Sequence, residues 1–278
     1  PEFFAVAELD RIPSIGPLSV SVPGAVAGWI DAHDRYGSMN FAELLSTGID
    51  YARNGFAVSS RLAQDFEEQG QNLNDAGRDL YLPNSNPPKV GSLLRNPQLA
   101  NSLEIVADQG KEGFYNGSIA QKLSAFITEQ GGYLRQGDFA SHSSTWVTPL
   151  RGDYLNHEFV VMPPNTQGVT QLALFEMAKS HELASMTQNS ADYLHTLVEL
   201  KKLAFADRDR WVADPNSANV PVDQLLDADY LKNRAQLINM SVAAESAEPG
   251  FGDEILAEPN GNRSDAGDTV FITAVDQW

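Results

Sequence analysis

SDAGDTVFITAVDQW (residues 264–278) joins two kinds of chain. Ser264 to Asp268 are small, polar and acidic. From Thr269 onward, Val270, Ile272 and Ala274 alternate with Thr269, Phe271, Thr273 and Val275, the period-2 spacing of a strand rich in β-branched residues. A threonine is thus expected to open a buried strand directly after a flexible approach. That placement has a chemical reading. A hydroxyl is a poor nucleophile until a base takes its proton, and a threonine at a free amino terminus carries that base in its own α-amine. The chemistry requires a cut between Asp268 and Thr269. By itself the pair also fits an ordinary threonine at a strand start.

The rest of the chain sets the frame for this junction. Its 278 residues can bury a substantial core as one large domain or two modest ones, and 42% hydrophobic with 20% charged residues is ordinary for a soluble globular protein. Lys and Arg number 19 against 37 Asp and Glu, and the net charge of -18 repels phosphate backbones and anionic lipid, so neither nucleic acid nor a membrane is expected as a partner. The absence of cysteine excludes a disulfide framework, a thiolate metal site and a Cys nucleophile. No apolar run approaches the roughly 18 residues of a membrane span. The start at PEFFAVAELD, without Met, and the end just inside a strand lead us to expect a piece of a longer protein.

Upstream of the junction the pattern alternates between helix and loop. Residues 13–24 suggest a short strand with Leu18, Val20 and Val22 between two turns, followed by helices over 25–37 and 41–55 closed by Gly37 and Gly55. The second of these places Leu44, Leu45, Ile49 and Ala52 on one side. A polar helix over 58–79, a Pro- and Asn-rich excursion over 82–94 and helices over 96–117 and 118–132 come next. Short strands are expected at Trp146 and Val147, Leu150 to Tyr154 and Phe159 to Met162, stopped by Pro163 and Pro164. The longest helix spans 189–211, with Asn189 as a cap and Tyr193, Leu197, Leu200 and Ala204 as its core stripe. Residues 241–268 are polar and glycine-bearing, and read as a tether.

Other chemistry finds little support. There is no GxGxxG, GxxxxGK or GxSxG motif, and His33, His142, His157, His181 and His195 are scattered without metal-ligand spacing, which favours structural roles. Asp207 and Asp209 alternate with Arg208 and Arg210, which suggests a solvated, salt-paired helix end. The Asn-x-Ser sequons at Asn116, Asn239 and Asn262 matter only in a eukaryotic secretory pathway.

GDTVFITAVD (267–276) resembles the processing site of γ-glutamyltranspeptidases, which are N-terminal nucleophile (Ntn) hydrolases. It has company: SVPGAVAGWIDAHDRYGSMNFAELLSTGIDYARNGFAVS (21–59), EGFYNGSIAQKL (112–123), GGYLRQGDFASH (131–142), PLRGDYLNHEFVVMPPNTQG (149–168), SADYLHTLVELKKLAFADRDRW (190–211) and DPNSANVPVDQLLDADYLKNR (214–234) follow in that family's order and spacing. The resemblance covers nearly the whole chain. It implies an α+β fold, a four-layer αββα sandwich of the Ntn-hydrolase type. It also implies a precursor that cuts itself between Asp268 and Thr269. Residues 1–268 would then be the large-subunit portion, with 241–268 its flexible tether before the cut, and 269–278 the start of the small subunit.

By the same resemblance, Thr269 is the nucleophile that attacks first the carbonyl of Asp268, in an N-to-O acyl shift, and later the γ-amide of a substrate such as glutathione. Water, an amino acid or a peptide would accept the acyl group. No metal or organic cofactor is implied, the partner after processing is the protein's own small subunit, and a periplasmic or secreted location is suggested with the cytoplasm left open. Substrate-binding residues stay unassigned. The family's second threonine, its acidic residue for the substrate amine and its Gly-Gly oxyanion hole are expected beyond Trp278, and its carboxylate-gripping arginine before Pro1, so the 278 residues alone are expected to be catalytically incomplete. Where well-characterised transpeptidases read Thr-Thr-His, this chain has Val270 and Phe271 after Thr269. Two alternatives therefore stand: an acylase of the same family acting on cephalosporin-type or other amides, and a catalytically silent member serving as a binding module.

Overall fold

A computed structural model of the chain describes residues 12–13 and 15–251. These divide into two compact units, residues 1–145 and 146–278. Asp268, Thr269 and the strand expected to follow them lie outside the described residues.

In the first unit, local signals set most helix ends. Helix α1 (Ala25–Tyr36) stops at Gly37, whose N–H returns to the His33 carbonyl. Helix α2 (Phe41–Asn54) starts where the Asn40 side chain accepts hydrogen bonds from the Ala42 and Glu43 N–H groups, and ends at Gly55. Its buried side carries Phe41, Leu45, Ile49 and Ala52, whereas Leu44, expected on that side, is largely exposed. A two-residue strand β1 (Phe56–Ala57) follows. The polar helix expected over 58–79 is two helices, α3 (Ser60–Gln69) and α4 (Asp75–Tyr81). Asn74 breaks it by capping α4 with its own side chain. The excursion that follows returns as β2 (Leu93–Leu94), which pairs antiparallel with β1.

Helix α5 (Pro97–Lys111) has Asn96 as cap and Pro97 in its first turn. One π-helical turn, Glu112–Asn116, leads into α6 (Ser118–Glu129), closed by Gly131 in a left-handed conformation and by the Gly132 N–H bonded to the Ile127 carbonyl. A short α7 (Gln136–Ala140) completes the unit. Val26, Ala27, Val106, Tyr115, Ile119 and Phe139 form the centre of its core. The strand expected at Leu18, Val20 and Val22 does not form: residues 15–19 make a bend and turn tied by the Ser19 N–H and hydroxyl to the Gly16 carbonyl, and Val22 packs onto the core from chain that is neither helix nor strand, with no partner strand among the described residues.

The second unit begins with a hairpin, β3 (Leu150–Tyr154) and β4 (His157–Val161), in antiparallel register from Leu150 opposite Val161 to Tyr154 opposite His157. Trp146 and Val147, expected as a strand, precede it in chain that is neither helix nor strand. Helix α8 (Gly168–Ala178) is apolar on most of its circumference because β3 covers one side while α9 (Ala191–Trp211) and α11 (Ala228–Ala235) cover others. Short helix α10 (Val222–Leu225) sits between them in sequence. Met177, Leu200, Leu203, Ala204, Leu231 and Ala235 form the core. The expected stripe of α9 is present, with Leu200 and Ala204 buried and Tyr193 and Leu197 packed against them. Its cap is Ser190 and not Asn189: the Ser190 hydroxyl accepts from the Tyr193 N–H, while Asn189 takes a left-handed turn conformation. Among the described residues the fold is thus helix-rich, with two small antiparallel sheets. No helix there is long and apolar enough to cross a membrane.

Candidate functional site

The described chain runs to Phe251, within the stretch 241–268 that the sequence leads us to expect as a tether, and polar side chains of α9 and α11 gather against residues 244–250. Helix α9 brings Asp207 to the face already occupied by Leu200 and Ala204, one further turn along, and α11 brings Arg234 opposite it. Both are buried, at 4% and 5% exposure. The guanidinium donates to both carboxylate oxygens, from Nη2 at 3.1 Å and from Nε at 3.3 Å. The Tyr230 hydroxyl, also on α11, donates to Asp207 Oδ2 at 2.7 Å. Burial, reinforced by that carboxylate, pushes the Tyr230 phenol well above its ordinary value, so it remains a donor. The pattern ADRDRW suggested a solvated helix end. Asp207 and Arg208 are instead enclosed, because the i, i+4, i+7, i+11 spacing of Leu200, Ala204, Asp207 and Trp211 carries all four to one side.

This cluster holds the main chain at Glu248 and Gly250. Residues 243–251 have no helix or strand, yet their main chain is bonded to it: Gly250 N–H donates to Asp207 Oδ1 at 2.8 Å and the Glu248 carbonyl accepts from Arg234 Nη2 at 2.8 Å. Earlier along the segment, Ala244 N–H donates to Glu199 Oε2 at 3.3 Å, and Lys202 bonds both Glu199 and the Ala244 carbonyl. The hydrogen bond from Lys202 is the main reason the buried Glu199 carboxyl is held below its ordinary range. Phe251 then stacks on Trp211 and meets the edge of Tyr230, with ring centroids 5.0 Å apart in each case. A cavity of about 390 Å³ opens beside the segment between Glu199, Lys202, Arg234 and Ile238.

The loop Pro163–Gly168 is joined to the same end of α9. The Arg208 guanidinium donates to Gln167 Oε1 at 2.8 Å, lies 3.8 Å from the centre of the Phe205 ring and is paired with Asp209. Thr166 Oγ1 donates back to the Met162 carbonyl and so tightens the turn. The histidines serve structure. His33, His181 and His195 bond main-chain carbonyls of Met39, Ala235 and Asn239, and His142 stacks on Tyr115. Among the described residues no three His, Asp or Glu side chains converge as metal ligands.

Comparison with known proteins gives this geometry its context. The glutathione hydrolase-like YwrD proenzyme of Bacillus subtilis (strain 168) is 32% identical over 235 residues, which cover 84% of this chain and 45% of that protein. The acylase ACY 1 proenzyme of Pseudomonas sp. (strain SE83) is 33% identical over 240 residues, 84% of this chain and 42% of that protein. The chain therefore spans less than half the length of these relatives. A solved γ-glutamyltranspeptidase from Pseudomonas nitroreducens superposes with a TM-score of 0.78 at 31% identity, over 85% of this chain and 72% of that one. The family model described as gamma-glutamyltranspeptidase matches residues 1–278 without exception, and on that match the chain belongs to the γ-glutamyltranspeptidase family.

Proposed function

We propose that this chain is the large-subunit portion, with the start of the small subunit, of a self-cleaving γ-glutamyl hydrolase or transferase that works through a threonyl acyl-enzyme. The reading is supported by the family match over residues 1–278, a range that includes Gly267, Asp268 and Thr269, and by relatives that are named as proenzymes. Residues 1–268 form the large-subunit portion and 269–278 begin the small subunit of a four-layer αββα sandwich. In self-cleavage, Thr269 Oγ attacks the Asp268 carbonyl carbon. A C–O ester bond forms as the C–N bond between residues 268 and 269 breaks, the freed nitrogen takes a proton, and water then hydrolyses the ester. In turnover, the freed α-amine accepts the proton of the same hydroxyl as it attacks the γ-carbonyl of a substrate such as glutathione. The leaving amine departs protonated, and water or an amino-acid or peptide acceptor releases the acyl group.

A second reading, an acylase of the same family, is favoured by the 33% identity to an acylase proenzyme and by Val270 and Phe271 following Thr269. A catalytically silent member is the third. Intact mass measurement of the full-length protein beside its Thr269→Ala variant separates the last from the other two. We expect two fragments meeting between Asp268 and Thr269 in the parent and one uncut chain in the variant. A single uncut chain in both overturns the enzymatic reading. Turnover of a γ-glutamyl anilide against a glutaryl amide then divides the two enzymes.

A further inference from the structure

The turn of the β3–β4 hairpin borders a groove that lies within the second unit. Two openings, of about 720 Å³ and about 380 Å³, share Tyr154, Leu155, Ala178, Leu183 and Ala184, and so form one groove between the hairpin, the end of α8 and the start of α9. Its inner part is apolar, lined by Leu174, Phe175, Met186 and Leu197. The Phe175 ring is braced there by Tyr154, stacked at 5.4 Å and 8°, and by Phe159 at 4.4 Å. The outer part carries Asp153, Lys179 and Glu182. Lys179 is paired with Glu176, whereas among the described residues neither Asp153 nor Glu182 has an ion pair, so the rim holds unbalanced negative charge.

Two phenols meet in the inner part. Tyr154 and Tyr193 are half-buried and line the same space. Burial raises the Tyr154 phenol above its ordinary value and Tyr193 adds to the shift, so the Tyr154 hydroxyl remains a donor. Among the described residues neither hydroxyl has a hydrogen-bond partner. An apolar slot with a few converging polar groups is the usual make-up of a small-molecule site, the polar groups setting the orientation of what binds. The lip of the groove is also built at a cost. Leu155 adopts a φ of 48°, in a turn position that favours Asn, Asp or Gly, and its side chain lines both openings.

The geometry points to a binding site for a small arylalkylamine with a hydroxyl on its ring: the ring enters between Leu174, Met186 and Leu197, the hydroxyl exchanges hydrogen bonds with Tyr154 and Tyr193, and the ammonium group stays at the rim with Asp153 and Glu182. The site requires neither Thr269 nor acyl transfer.

The test is calorimetric titration of the full-length protein with tyramine, for which a Kd of about 1 mM or tighter is expected. Phenethylamine, which lacks the hydroxyl, and para-hydroxyphenylacetate, which reverses the charge, should each bind about 5-fold more weakly or worse. Tyr193→Phe should weaken tyramine by about 5-fold and leave phenethylamine unchanged, whereas Glu182→Gln should weaken both amines. Ala184→Phe, a substitution at an exposed position that fills the groove, should abolish binding. Three results overturn the inference: no heat from tyramine at about 10 mM, binding that survives Ala184→Phe, or equal binding of tyramine and para-hydroxyphenylacetate. Should Ala184→Phe fail to fold, Tyr193→Phe decides, and tyramine affinity within about 2-fold of the parent in that variant overturns the assignment. None of these results bears on cutting at Thr269, which the intact-mass measurement reads separately.

Discussion

Each unit sets one tyrosine, buried in the first and half-buried in the second, against a segment that has no helix or strand of its own, but the electrical surroundings of the two differ. In the first unit the Tyr115 hydroxyl donates to the Pro23 carbonyl at 2.7 Å and accepts from the Ala27 N–H at 3.1 Å, between the rings of Phe114 and His142. Every direct partner of that hydroxyl is uncharged main chain. In the second unit the Tyr230 hydroxyl donates to a carboxylate that is itself paired with a buried guanidinium. A neutral knot of this kind costs one or two hydrogen bonds when it is cut. A charged one strands an ion in the core, so its parts hold or fail together. The lesson is that the chain at Glu248 and Gly250 is held by groups that tolerate no partial loss, whereas the chain at Pro23 is held by groups that do.

Removing one charge gives the largest expected effect on this contrast. Asp207→Ala leaves Arg234 buried without its anion and should lower the stability of the second unit by about 3–5 kcal/mol in denaturant unfolding of the full-length protein. The double variant Asp207→Leu with Arg234→Met should recover much of that loss, because no charge is left unpaired. A double variant as unstable as the single would show that packing and not charge sets the sensitivity. Tyr115→Phe, the matching cut in the first unit, should cost about 1–2 kcal/mol, since the Ala27 N–H and Pro23 carbonyl lose their partner but no ion is exposed to the core. A loss as large as that of Asp207→Ala would erase the distinction between the two knots.

Smaller effects are expected from pH, and their signs follow from the directions of the shifts. Tyr230 has its phenol raised above 10.0 by burial and then by Asp207, so the folded protein keeps a proton that the unfolded chain gives up. This contribution is complete below pH 10.0 and is lost as pH rises toward the folded value. Glu199 is shifted the other way, first by its hydrogen bond from Lys202. Its contribution is present above 4.5 and is lost as pH falls through the depressed folded value. Midpoints of urea unfolding measured across pH should therefore show Tyr230→Phe flattening the alkaline decline and Glu199→Gln flattening the acid one. Unchanged slopes in either variant would remove that group from the account.

Local chemistry made most helices legible. Asn40, Asn96 and Ser190 cap helices with their own side chains, and Gly37, Gly55 and Gly131 end them, so the boundaries of α1, α2, α5, α6 and α9 follow from residues that act within one turn. Strand readings, which depend on a partner, divided: those at Leu150–Tyr154 and around Phe159 pair as a hairpin, whereas the one at residues 18–22 does not form. Leu18, Val20 and Val22 alternate as a strand would, but among the described residues no second strand pairs with them. Leu93 and Leu94, inside a Pro- and Asn-rich excursion, do form a strand because Phe56 and Ala57 lie opposite.

The same division runs through the candidate site. The amino-acid sequence by itself determined the family, through the order and spacing of motifs along nearly the whole chain, and with them the expectation that Thr269 opens a cleaved strand. Whether Asp207 faces water or the core was decided only by tertiary structure. Its alternating charges satisfy a solvated helix end just as well, until Arg234 and Tyr230, more than twenty positions away, arrive from another helix. Burial of an ion is a property of everything packed around it, and no pattern within a few residues can report on groups that only folding brings into contact.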